Sequence, residues 1–368
     1  MEKDRTLDET TLAAFLDEGC LVLGDDGKAW IGWGAFRKAV GPEKGCLSIY
    51  APDFFLRDVR PWRVYERSAW VGVEELVENL ALLGCPPPPT PPPLTSHKGG
   101  GEFETSPFSE FAASFEDIQR RLVNGSLTKA VPFIARRARI EFDARERAAL
   151  VLNALRRCRG SSLRAYGIWN AEGGMVGMTP ETLFEEVAGD PPSLRTMALA
   201  GTRTPDAPSL LDDPKETHEH RVVVEGIAES LAPLGRVVVG RTEELRLPAL
   251  VHLHTPIEVF PDRRVSFDEW VAALHPTAAI GAWPKAAGWR WLQDQPNAGE
   301  RGRYGAPFGV VPPDATVGTC LVAIRNLQWT GDRARLLAGC GIVPDSRVER
   351  EWRELNAKLD SVQGALGL

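Results

Sequence analysis

No apolar run in this 368-residue chain approaches the length needed to cross a bilayer, so a membrane span is not expected. The opening residues, MEKDRTLDETT, are acidic and polar where a secretory leader is basic and then apolar, and a cytoplasmic location is expected. A Lys/Arg stripe is also missing: 43 basic residues face 50 acidic ones, a net charge of −7, which argues against a nucleic-acid partner. The six cysteines, at 20, 46, 85, 158, 320 and 340, form no CxxC pair and no zinc spacing. They are expected to be reduced and mostly buried thiols. No repeat of fixed period is present.

Proline and glycine, by contrast, concentrate in one place. The stretch CPPPPTPPPLTSHKGGGEFETS can form neither a central strand nor a helix, so residues 85–105 are expected to be a linker or surface loop. Before it, residues 18–36 predict a hairpin around the turn DDGK, and Glu74 to Leu83 a helix. After it, Ser106 is a candidate cap for an amphipathic helix reaching Val123. The run LTKAVPFIARRARIEF reads as one long strand, as does MVGMTPETLFEEV, which pairs in a hairpin with LRAYGIWN. Further strands are expected at Tyr304–Val311 and Gly318–Gln328, with a helix at the C-terminus. Adjacent strands joined by hairpins, with single helices between them, indicate an α+β chain with large antiparallel sheets.

The stretch TMALAGTRTPDAPSLLDDPKETHEH runs from a strand through a Gly-Thr-Arg turn into a helix. Asp213 is a suitable cap and Pro214 a suitable first residue. Glu216 and Glu219 are helical neighbours and repel unless something positive lies between them. Glu351 and Glu354, in EREWRELNAKL, repeat the spacing on the last helix. Each pair alone reads as a solvated helix face. If the helices face each other, the four carboxylates bracket one point, and oxygen ligands suit Mg²⁺ better than zinc or copper.

Ten segments in order, LTKAVPFIARR, GMTPETL, ALAGTRTP, DPKETHEH, VHLHTPIEV, ALHPTAAIGAWPK, RYGAPFGVV, LVAIRN, LAGCGIVPDS and EWRELNAKL, closely resemble the chorismate-utilising enzymes. That family includes isochorismate and salicylate synthases and the large subunits of anthranilate and aminodeoxychorismate synthases. The resemblance covers 107–368 as a catalytic core. It implies two large packed antiparallel β-sheets flanked by helices, and a single chorismate-binding domain over 1–368 whose residues 1–84 are a variable β-rich part.

By the same resemblance, Glu219 and Glu354 hold Mg²⁺, with Glu216 and Glu351 beside them. Glu181 is the general acid for the departing C4 hydroxyl, and Thr179 stands where serine is usual. Lys129 is the base that deprotonates water, at a position where ammonia-using relatives carry glutamine. Ala200 replaces the nucleophilic lysine of many aminodeoxychorismate synthases. Arg325 and Tyr304 bind the enolpyruvyl carboxylate, Gly201 and Thr202 the ring carboxylate, Gly339 and Gly341 allow close backbone approach, and His275 lies near the leaving hydroxyl. Cys340 replaces a common alanine, and a thiol facing the substrate is expected to be protected from alkylation by chorismate.

Lys129, with the small apolar pair Ala279 and Ile280, favours an isochorismate synthase serving menaquinone or siderophore synthesis. It is expected to need Mg²⁺, to act as a monomer, and to require no glutaminase partner. A salicylate synthase, an ammonia-using large subunit, and a chorismate-binding regulatory or scaffold protein are the alternatives.

Overall fold

The computed structural model describes residues 7–82, 102–203, 208–247 and 250–368. Two large sheets, antiparallel throughout, carry the chain. The first has nine strands, in spatial order Ser68–Gly72, Lys28–Trp33, Gly19–Leu23, Arg164–Asn170, Gly173–Thr179, Asn326–Thr330, Arg333–Gly339, Phe133–Arg139 and Glu104–Thr105. The second has ten. Its order is Gly235–Val239, Val251–Pro261, Ser193–Arg203, Thr182–Val187, Thr319–Val322, Pro307–Val311, Leu47–Tyr50, Trp62–Tyr65 and Arg37–Ala39, with Glu243–Arg246 also paired to Val251–Pro261. The N-terminal strands thus extend an edge of each sheet.

The sheets meet face to face through an apolar layer drawn from both, including Val22, Tyr166 and Met175 on one side and Ile49, Phe308 and Leu321 on the other. Removing such side chains from water is the main stabilising term here. Helices Glu9–Asp17, Val73–Leu82, Ala144–Cys158 and Val348–Leu366 pack on the first sheet or on one another, and Pro214–Leu231 packs on the second. Among the described residues no helix is long and apolar enough to cross a membrane.

Three expected strands are each broken in two. LTKAVPFIARRARIEF divides at Val131-Pro132: Lys129–Ala130 pairs with Ala282–Trp283 in a separate two-stranded ladder, and Phe133–Arg139 joins the first sheet. MVGMTPETLFEEV divides at Pro180-Glu181, its halves entering different sheets, and the run 318–328 divides likewise at 323–325. Pro132 and Pro180 have no N–H to donate to a ladder, which explains the first two breaks. Tyr304 lies in a turn ahead of its strand, which starts at Pro307.

Ser106 does not cap its helix. Pro107 holds that position, and the Ser106 hydroxyl accepts instead from the Ala135 N–H. The last residues of the expected loop, Glu104–Thr105, form an edge strand; residues 83–101, including Cys85, lie outside the described residues. At the central stretch the helix starts at Pro214, with the Asp213 side chain accepting from the Lys215 and Glu216 N–H groups.

Candidate active site

Two of the three broken strands, those divided at Pro180-Glu181 and at 323–325, are neighbours, and their breaks coincide. Gly173–Thr179 pairs with Asn326–Thr330 in one sheet, and Thr182–Val187 pairs with Thr319–Val322 in the other. Across the gap the Met178 N–H donates to the Arg325 carbonyl (3.1 Å) and the Val322 N–H to the Glu181 carbonyl (3.0 Å). Glu181 and Arg325 therefore stand together in the fork where the sheets part. Arg325 takes φ 53°, a left-handed conformation unfavourable for a residue other than glycine and held here by pairing on both sides.

Glu181 is buried, and burial pushes its carboxyl up to about 7 against the opposing fields of Lys129, Lys358 and Arg325. A carboxylic acid in that range keeps much of its proton at neutral pH and can donate it. The Thr179 hydroxyl accepts from the Glu181 N–H at 3.1 Å, a role that serine's hydroxyl fills equally well.

Burial holds the His252 ring far below its ordinary range, with the Arg325 charge adding to the effect, so the imidazole is neutral. Its Nε2 is 2.8 Å from the Arg325 guanidinium. Arginine only donates, so Nε2 is the acceptor and the ring proton sits on Nδ1. Nδ1 is 3.1 Å from the Gly201 carbonyl and 3.1 Å from the Thr202 hydroxyl. Gly201 itself takes φ 75° at a register shift in its strand, a bulge that suits glycine. The Thr202 N–H, expected to face substrate, donates to Glu216 at 3.0 Å.

The acidic pairs are not solvated faces. Glu216, Glu219 and Glu351 are all buried, and the ammonium of Lys215 lies between them, 3.1 Å from Glu216, 3.1 Å from Glu219 and 3.2 Å from Glu351. Helices Pro214–Leu231 and Val348–Leu366 thus face each other through this cluster. Arg350 reaches Glu216 at 2.8 Å. Glu354 is paired with Lys358 at 2.7 Å, and Lys358 also donates to the Gly339 carbonyl.

Lys129 is fully buried, with Nζ 3.1 Å from Glu219 Oε1, yet it makes no well-aligned hydrogen bond. The Gly341 backbone presses on this pair: a Cβ there would lie 2.0 Å from Glu219 Oε1 and 2.5 Å from Lys129 Cε. Burial raises the Glu219 carboxyl, but Lys129 and Lys215 outweigh it and hold the group well below its ordinary value.

The donor chemistry fits a magnesium ion. All four side chains offer oxygen, and both carboxylate oxygens of the fully buried Glu351 lack a hydrogen-bond donor. Burial raises the Glu351 carboxyl to about 7, Lys215 opposing and Glu354 and Glu219 adding to the rise. Among the described residues no three acidic, histidine or cysteine groups form a ready metal cage, since the carboxylates converge on Lys215. Glu219 faces an ammonium with each oxygen and Glu354 is held by Lys358, so the least committed oxygens belong to Glu351.

Tyr304 is buried, with its hydroxyl against the Gly339 backbone, and burial raises it above its ordinary value. The His275 Nε2 donates to the Phe54 carbonyl (2.7 Å), and its ring packs edge-on against Phe54 and Trp289. Burial lowers the His275 ring to about 3, so it is a neutral, packed histidine. Cys340 is buried as well, and burial together with Glu351 and Glu354 keeps its thiol protonated.

Lys215, Lys358 and His252 went unassigned in the sequence, although each lies inside a quoted segment. The signal for Lys215 was its place four residues before the buried Glu219 on one helix, visible once the helix faces inward.

A buried acid and an arginine stand where two sheets part, and a buried amine acts on the acid's charge, a set of groups suited to proton transfer beside an anion. The family model for chorismate binding enzymes matches residues 75–367, and the chain belongs to that family. It is 37% identical over 202 residues to the salicylate biosynthesis isochorismate synthase of Pseudomonas aeruginosa, covering 52% of this chain and 41% of the relative. To isochorismate synthase EntC of Escherichia coli it is 30% identical over 210 residues, covering 54% and 52%. The chain therefore spans about half the length of the curated relatives it matches. Its fold overlays MenF, the menaquinone-specific isochorismate synthase of Escherichia coli, with a TM-score of 0.75 at 19% identity, over 100% of this chain and 93% of that one. At that identity the likeness shows a shared fold.

Proposed function

We propose that this chain is an isochorismate synthase, converting chorismate reversibly to isochorismate. The observation that carries the reading is a buried amine, Lys129, that acts on the charge of a buried acid, Glu181, whose carboxyl burial raises to about 7. Lys129 takes a proton from water as its oxygen bonds to C2 of the ring. The ring double bond shifts, the C4–oxygen bond breaks, and Glu181 gives its proton to the departing hydroxyl, which leaves as water. One proton is taken and one given, so the same two groups with exchanged roles run the reverse step. The Lys129 proton is stabilised where it arrives by Glu219.

Arg325 offers a planar fork to one substrate carboxylate, with Tyr304 as a further donor. Glu351, Glu219 and Glu354 are the side chains that would hold Mg²⁺, which when bound supplies positive charge to the ring carboxylate. The relatives' names support an isochorismate product, and the lysine at 129 argues against ammonia as nucleophile.

Product analysis tests the reading. Chorismate incubated with the protein and MgCl₂ is expected to yield isochorismate, unchanged by added ammonium. Salicylate with pyruvate would replace it with a salicylate synthase, and anthranilate or aminodeoxychorismate with an ammonia-using enzyme.

A further inference from the structure

The charge at the centre of the acidic cluster is carried by the protein itself. Three carboxylates from two helices converge on Lys215 Nζ within 3.1 to 3.2 Å, and every side chain involved is at least nine-tenths buried. Lys358 and Arg350 bring two more cations to Glu354 and Glu216, and the Lys129 amine stands 3.1 Å from Glu219. Four glutamates are thus faced by four basic side chains before any metal enters. Apart from the Lys215 ammonium at 3.2 Å, Glu351 has no ion pair among the described residues, and neither of its oxygens has a well-aligned hydrogen-bond donor. An unpaired buried carboxylate is strongly unfavourable, so the ionised cluster needs a cation among its oxygens when the two helices are packed together.

We propose that Lys215 is a tethered counter-ion that competes with Mg²⁺ for Glu216, Glu219 and Glu351, holding the metal-free site together and weakening metal binding until substrate adds its own negative charge. This rests on the magnesium reading above. Two cations drawing on the same lone pairs are negatively coupled: each lowers the other's hold on the carboxylates, and the linkage is reciprocal. Coupling of this kind is typically about 5- to 150-fold in affinity. Lys215 is a positioning residue in this scheme, touching neither substrate nor reacting atoms.

The test titrates MgCl₂ alone, without chorismate, into the full chain and its variants by calorimetry, with melting followed in EDTA and in MgCl₂. Lys215→Met is expected to bind Mg²⁺ roughly tenfold or more tightly than the parent. It should melt lower in EDTA and recover in MgCl₂. Lys215→Arg keeps the charge and should bind Mg²⁺ no more tightly than the parent. If Lys215→Met is unfolded in EDTA, refolding on addition of MgCl₂ supports the proposal, and failure to refold at any concentration overturns it. Equal or weaker binding by Lys215→Met overturns the counter-ion role and leaves the magnesium reading standing. Absence of Mg²⁺ binding by parent and variant alike overturns both.

Discussion

His252 accepts a hydrogen bond from the Arg325 guanidinium at one ring nitrogen and faces the Gly201 carbonyl and Thr202 hydroxyl with the other. One neutral imidazole therefore ties the arginine expected to clamp one substrate carboxylate to the turn expected near the other. Because Arg325 sits in a left-handed backbone conformation at the parting of the sheets, its side chain depends on such a partner for orientation.

His252→Ala removes that partner and leaves a buried guanidinium N–H unmatched, a loss of about 1–3 kcal/mol. KM for chorismate should rise about tenfold to a hundredfold with a smaller fall in kcat, and His252→Gln, which keeps an acceptor, should recover part of the loss. Steady-state kinetics of the two variants decide it: a fall in kcat alone, with KM unchanged, contradicts a positioning role.

Glu181 ties activity to stability. Its carboxyl ordinarily titrates near 4.5 and is raised to about 7 here, chiefly by burial. In its proposed role as proton donor it must be protonated, so kcat/KM for isochorismate formation should fall as pH rises through about 7. A raised folded-state value means that the folded protein binds this proton more tightly than the unfolded chain. The stability it contributes is fully present below about 4.5 and is lost as pH rises through about 7. The rise from 4.5 to about 7 corresponds to about 3 kcal/mol. Glu181→Gln should therefore be inactive yet melt higher than the parent at pH 8.5, with the difference shrinking toward pH 5. Thermal melts at both values check it, and equal gains at both would remove the burial argument.

The difference between what the sequence discloses and what it hides follows from range. Caps and periodicity are local, so Asp213 and Pro214 mark a helix start that the structure reproduces, and hairpin turns mark antiparallel pairing. The switch from one sheet to the other at Pro180-Glu181 and at 323–325 depends on which distant strands accept each half. An alternating apolar run reads the same in either sheet, so both stretches pass for single strands. The acidic residues were legible as types and spacings, but whether they face water or each other is a packing question. His275 illustrates the opposite limit: its segment suggested chemistry, while its ring is taken up by Phe54 and Trp289.

Gly341 is where backbone shape bears on Lys129, the amine proposed as base. Any Cβ at this position collides with Glu219 Oε1 and Lys129 Cε, and neither has room to retreat in a buried cluster. Gly341→Ala should push the amine and carboxylate apart, lowering kcat about a hundredfold, in line with displacing a catalytic group by about 1 Å. At Gly339 the nearest atom to an added Cβ is Val131 Cγ1, at 2.9 Å, so Gly339→Ala should act more mildly and through packing. Turnover of the two variants, read beside their far-ultraviolet dichroism, separates these effects; equal losses would show that general crowding and not the amine position is responsible.

Cys340 stands where the resemblance implies a common alanine, and from the sequence its thiol is expected to face the substrate and react with alkylating agents. Cys340 is 1% exposed. Its thiol is driven up by burial and by the negative charges of Glu351 and Glu354. The thiolate is the reactive form, and both effects suppress it. N-ethylmaleimide should leave Cys340 unmodified in the native protein whether or not chorismate is present, while Cys46, which is only half-buried, is modified faster. Peptide mass spectrometry after timed labelling checks this, with denaturant as the positive control. Rapid native labelling of Cys340 that chorismate blocks would instead place the thiol in the substrate cavity and require this strand end to open in solution.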